Sequence, residues 1–219
     1  MKNTVLFVLL FLGSLASANA ATISNLTYED RHTIYYTTDF GGNPVDQHVF
    51  DFAFKGYLKL RDQNKLKKDH ILTIIDYSKS SSQKRLWVID LFQRKVLFND
   101  WTSHGKYTGS EYASSFSNVV NSKKTSIGFF VTGGTYNGKH KYSLKLHGME
   151  RGYNSNAFRR GIVIHGADYV QPNDVGRSYG CPAIRQEIKY ALIDTIKDGS
   201  CVFSYYPAQA YMDKSGLLN

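Results

Sequence analysis

The chain has 219 residues, a formal net charge of +9 from 27 Lys and Arg against 18 Asp and Glu, and only 2 Cys. Its ordinary apolar content excludes wholesale disorder. Two cysteines exclude a disulfide-dense mini-scaffold and a cysteine-rich zinc module, and the length fits one good-sized domain.

The chain opens on a leader pattern. Lys2 gives a positive start, Val5 to Leu12 is an unbroken apolar run too short for a stable bilayer span, and Ala18-Asn19-Ala20 fits the small-x-small cleavage rule. Residues 1–20 therefore read as a signal peptide, with an uncleaved anchor as the competing reading. No later apolar stretch approaches the length of a membrane span. The mature protein is expected to be exported, periplasmic or secreted, with no membrane span after cleavage.

Residues 21–66 read as a helical extension. Asn43-Pro44 predicts a helix start, with Asn as N-cap and Pro in the first turn. Val45, Val49, Phe52, Ala53, Gly56 and Leu60 follow on one helical face. From Ile71 the pattern turns to strands. Ile71 to Tyr77 is a short apolar run, and Leu86–Phe92 with Lys95–Trp101 predicts a hairpin around Gln93-Arg94. Ile127 to Thr132 is expected to end at Gly133-Gly134. Tyr142, Leu144 and Leu146 alternate with polar residues, giving a strand with one buried face. Gly161 to His165 is a short buried-type run, Gln186 to Asp198 a helix stopped by Gly199, and Cys201 to Tyr206 a last strand. The sum is a mainly β domain with flanking helices, over 67–207, followed by a surface tail, 208–219. A barrel or sandwich fits better than repeated βαβ units.

The basic charge favours polyanionic partners. Nucleic acid fits poorly, because Lys and Arg are dispersed and no nucleic-acid-binding signature is present. The clusters Lys65 to Lys68 and Lys123-Lys124 read as solvated turns. The histidines lack metal-ligand spacing, so neither a metal nor a cofactor is expected.

Reactive side chains concentrate in two segments, Ile162 to Ala167 and Gly176 to Ile184. His165 ends a buried strand, and Cys181 follows sixteen residues later on a turn of small residues. A cysteine nucleophile needs a base within reach, a site that favours thiolate, and free N–H groups for an oxyanion. Gly180 permits close approach of backbone to a carbonyl, and Pro182 stiffens the exit. The competing reading is a Cys181–Cys201 disulfide, which an exported protein permits.

His165-Gly166, then Arg177-Ser178-Tyr179-Gly180-Cys181-Pro182-Ala183, resembles the active-site signature of the murein L,D-transpeptidase catalytic domain branch of the L,D-transpeptidases. Weaker matches run in the expected order from Leu86–Leu91 through Ser103-His104-Gly105-Lys106 and Thr125–Phe130 to Ser143–Glu150. The commoner turn of the broader family has His where Tyr179 stands, which leaves His165 as the expected base. The resemblance implies an L,D-transpeptidase-like β-sandwich or barrel and a monomeric cysteine enzyme without metal or cofactor. It implies action on peptidoglycan, with stem peptides as donor and acceptor. Cys181 is then the nucleophile and His165 the base. Gly180, Tyr179 and Ser178 form the oxyanion turn, and Arg177, Gly166, His104 and Arg159 are candidate substrate contacts. Arg159-Arg160 alternatively read as a solvated pair. Two other readings stay open: an L,D-carboxypeptidase or amidase on the same scaffold, and a non-catalytic wall-binding protein with a Cys181–Cys201 disulfide.

Overall fold

A computed structural model describes residues 25–219, so the leader pattern lies outside the described residues. Two helices come first, α1 (Arg31–Thr37) and α2 (Gln47–Asp62). The strands β1 (Ile71–Asp76), β2 (Leu86–Asp90), β3 (Lys95–Asp100), β4 (Gly128–Gly138), β5 (Lys141–Gly148) and β6 (Val163–Gly166) follow. A small hairpin, β7 (Val170–Gln171) with β8 (Asp174–Val175), precedes β9 (Ala183–Ile184), α3 (Lys189–Ile196), β10 (Cys201–Tyr205) and α4 (Gln209–Lys214).

Eight strands form one sheet in the order β3-β2-β1-β10-β4-β5-β6-β9. β1 with β10 and β6 with β9 are parallel, and the other pairs are antiparallel. The ends of the sheet meet. Thr102, just after β3, bridges Ile184 of β9, and Arg185 grips Asp100 with Nε to Oδ1 at 2.7 Å and Nη2 to Oδ2 at 2.6 Å. The sheet is therefore curled nearly into a barrel, which removes most of its exposed edge.

Alternation along the strands builds two cores, one on each face. Leu72, Ile74, Trp87, Ile89, Phe129, Cys201 and Phe203 join Phe50, Phe54 and Tyr57 of α2 on one face. Ile71, Ile75, Leu86, Val88, Phe130 and Val202 join Leu192, Ile193 and Ile196 of α3 on the other, where Cys181 also lies. The two cysteines are free and sit on opposite faces, so the expected alternative of a Cys181–Cys201 disulfide is not what the fold contains.

Three expectations are corrected. α2 starts later than Asn43-Pro44, because Asp46 is the cap: its Oδ1 accepts from the N–H of His48 at 2.9 Å and of Val49 at 3.3 Å. Asn43 is drawn to the sheet instead, with its carbonyl accepting from Trp87 Nε1 and its side-chain amide donating to Asn99. β4 does not stop at Gly133-Gly134 but runs through them as a register shift between Thr132 and Thr135. The segment after Pro207 is not a surface tail. It forms α4 and buries Tyr211, Leu217 and Leu218. Among the described residues no helix is long and apolar enough to cross a membrane.

Candidate active site

The parallel pairing of β6 with β9 builds the site. His165 is in register with Ala183, two residues beyond Cys181, so a strand end and a turn that are distant in sequence lie side by side. Cys181 is buried, and its thiol donates to the Gly161 carbonyl at 3.6 Å rather than to the imidazole. Burial pushes the thiol pKa up, while the Val163 N–H and the Arg160 charge pull it down.

His165 is buried. Its Nδ1 lies 3.0 Å from the Gly166 carbonyl, which only accepts, so Nδ1 carries the proton and Nε2 keeps its lone pair. Burial lowers its pKa to about 4, with the Gly166 hydrogen bond opposing and His140 adding to the shift. The imidazole is thus a neutral base at neutral pH. The His140 ring, on the turn between β4 and β5, stacks on it with centroids 4.0 Å apart. Next to this pair a cleft of about 280 Å³ is lined by Lys139, His140, Asp168, Tyr169 and Gln186. Gln186 Oε1 is buried there without a hydrogen-bond partner. Neither His140 nor Gln186 was marked by any sequence motif.

Ser178 ties the turn together. Its Oγ accepts from Gly180 N–H at 3.0 Å and donates to the Cys181 carbonyl at 2.6 Å. The Gly180 N–H is therefore already engaged and is not free to bind an oxyanion. Among the described residues the N–H groups of Tyr179 and Cys181 have no acceptor, and they remain as the pair of available donors. Gly180 has φ +119°, and a Cβ on it would lie 2.7 Å from the Lys124 carbonyl oxygen. Only glycine fits both constraints. Gly166 packs closely under the side chains of Gln186 and Lys189, and a Cβ there would require them to shift.

Two candidate substrate contacts turn inward. His104 is fully buried, and both ring nitrogens are engaged: Arg85 Nη2 donates to Nδ1 at 2.9 Å, and Nε2 donates to the Gly109 carbonyl at 3.1 Å. Burial, with Arg85 and Arg177, lowers its pKa to about 4. His104 holds the loop that pairs with the Cys turn, through Ser178 N–H to the His104 carbonyl at 3.0 Å. Arg177 donates to the carbonyls of Val175, Gly176 and Ser110 and to Ser81 Oγ, so its guanidinium holds the turn to neighbouring loops. Burial lowers its pKa. Arg159 is exposed. Arg160, which sequence reading grouped with it as a solvated pair, is half-buried and lies against the Cys turn. Tyr179 is 65% exposed, with Lys123 Nζ 5.1 Å from its ring centroid and Lys106 Nζ at 5.8 Å.

A family model described as L,D-transpeptidase catalytic domain matches residues 42–205. The chain belongs to this family. The match begins before α2, so the family's domain includes that helix as well as the sheet. Solved structures similar to the chain include an L,D-transpeptidase from Mycobacterium smegmatis, at 12% identity over 63% of this chain and 59% of that one, TM-score 0.42. Others are an L,D-transpeptidase from Stackebrandtia nassauensis, at 15% identity over 83% and 80%, TM-score 0.40, and one from Xylanimonas cellulosilytica, at 14% identity over 81% and 92%, TM-score 0.40. The chain spans less than two thirds of the Mycobacterium smegmatis protein. No curated protein matches it.

Proposed function

We propose that the chain is an exported, cell-wall-associated cysteine L,D-transpeptidase acting on peptidoglycan stem peptides. The observation that carries this reading is the register of His165 with Ala183, which sets a neutral imidazole beside the Cys181 turn and its two unengaged N–H groups. Cys181 Sγ attacks the carbonyl of an L,D peptide bond next to a terminal D-Ala. The thiol proton passes to His165 Nε2, and the oxyanion is held by the N–H groups of Tyr179 and Cys181. His165 then protonates the leaving amine as the C–N bond breaks, which leaves a thioester. The side-chain amine of a second stem attacks the thioester and regenerates the thiol, giving a cross-link. Water in place of the amine gives L,D-carboxypeptidase activity. Arg177 and His104 support the turn, and Tyr179 is exposed where a substrate would approach.

The test uses purified protein with tetrapeptide muropeptides. Cross-linked dimers are expected, and tripeptides alone would reassign the enzyme as a hydrolase. Cys181→Ala and His165→Ala are each expected to lower product formation by a factor on the order of a thousand or more. Cys201→Ser, placed on the far face of the sheet, keeps the chemistry even though the fold is weakened. Full cross-linking by Cys181→Ala would exclude the mechanism.

A further inference from the structure

Arg160 immediately precedes Gly161, whose carbonyl accepts the Cys181 thiol. Its guanidinium reaches to the loop before β4 and is held by four neutral oxygens. These are the carbonyls of Ser117 and Lys124, each at 2.6 Å, Ser122 Oγ at 3.1 Å, and Ser126 Oγ. Among the described residues it forms no ion pair with a carboxylate. A Cβ on Gly180, the residue before Cys181, would lie 3.4 Å from Arg160 Nη2. A partly desolvated cation with only neutral partners favours an anion beside it.

Among the described residues, the group able to become an anion that acts on the Arg160 charge is Cys181. Other ionisable groups facing the thiol come from separate elements. Tyr77 follows β1 and Tyr169 follows β6, and burial raises both phenols, the latter to about 12. His165 on β6 is neutral, with its pKa lowered to about 4. Arg160 supplies the positive charge.

We propose that Arg160 is a positioning residue whose fixed guanidinium is the counter-cation of the Cys181 thiolate. On ionisation the S–H bond breaks with its electron pair left on Sγ, and the proton goes to His165 Nε2 or to solvent. Arg160 neither gives nor takes a proton. Its charge meets the opposing demand of burial, which alone keeps the thiol protonated. The proposal rests on Cys181 being the nucleophile for its relevance to turnover.

The experiment follows alkylation of Cys181 by iodoacetamide against pH, read by the mass of the peptide that contains it. Arg160→Gln is expected to move the inflection up by about one unit, so that alkylation near neutral pH slows about tenfold. Arg160→Lys keeps the charge and stays near the wild-type inflection. Ser122→Asp places a carboxylate against Nη2 and is expected to raise the inflection with Arg160 still present, which covers the case of a poorly folded Arg160→Gln. An unchanged inflection in Ser122→Asp and Arg160→Gln, or an equal shift in Arg160→Lys and Arg160→Gln, would overturn the proposal, the latter by reducing Arg160 to a loop clamp. The readout needs no turnover. Retained cross-linking in Cys181→Ala would instead remove the nucleophile assignment and leave the thiol measurement intact.

Discussion

Ser178 and Gly180 shape the turn that presents Cys181, and each does so through backbone contacts. Ser178 Oγ satisfies one donor and one acceptor of the turn in a buried place. Ser178→Ala leaves the buried Gly180 N–H without a partner, while the Cys181 carbonyl keeps the Ala183 N–H and Ser103 Oγ, and a loss of about 1–3 kcal/mol of stability is expected in urea denaturation. Gly180→Ala meets the Lys124 backbone oxygen and demands a positive φ of a residue with a side chain. The turn must shift, and a displacement of about 1 Å at a nucleophile is worth on the order of a hundredfold in rate. A drop of that order in acyl-enzyme formation is expected, read by the mass of the trapped intermediate, and wild-type acylation would show that the turn tolerates the side chain. The reactive residue types were legible in the sequence, since a Cys on a glycine-rich turn and a His ending a strand need no fold to be noticed. The direction each side chain faces was not legible. Arg85, 19 residues upstream, and the Gly109 carbonyl decide that His104 points inward. The acceptors of Arg160, 34 to 43 residues away, decide that it points at the Cys turn while Arg159 points out.

At the scale of elements, period and punctuation located β1, the β2–β3 hairpin, β5, α3 and β10, because each carries its pattern in adjacent residues. Failures occurred where distant partners intervened. Asn43 is an acceptable N-cap by type, but Trp87 and Asn99 claim it, and Asp46 takes the role. Two successive glycines read as a stop in β4, yet pairing with β5 resumes at Thr135 and Leu144 and carries the strand past them. The C-terminal segment is short and polar enough to look like surface. It is fixed by the buried Glu150, whose carboxylate accepts from the Phe129 N–H at 2.8 Å, from Tyr211 Oη at 2.9 Å and from Ser215 Oγ. Burial raises the Glu150 pKa against these three hydrogen bonds. Tyr211→Phe removes one donor to a buried carboxylate, and a loss of about 1.5–3 kcal/mol is expected in urea denaturation. An unchanged midpoint would remove the Tyr211 hydrogen bond from what holds the tail.

For the whole molecule, His104 and His165 are buried bases whose folded pKa values lie near 4, below the ordinary 6.5. Between these values the unfolded chain binds more protons than the folded one. Their contribution is therefore fully present above about pH 6.5 and is lost as pH falls towards 4, by about 3 kcal/mol for each group. Glu150 and Asp76 have raised pKa values, so their contribution has the opposite sign and is lost as pH rises through the folded value. His104→Asn is expected to lower Tm at neutral pH and to flatten its fall on acidification, as measured by circular dichroism. An unaltered slope would remove His104 from the acid response. The sheet order has a further consequence, for the timing of folding. β10 is the last strand to be synthesised, yet it lies between β1 and β4, in the middle of the sheet. Until residues 201–205 have left the ribosome, the facing edges of β1 and β4 lack the strand that pairs with both. Closure of the domain is thereby postponed until translation has passed its final strand. That delay keeps the chain threadable, which suits the passage through a membrane that the proposed export requires.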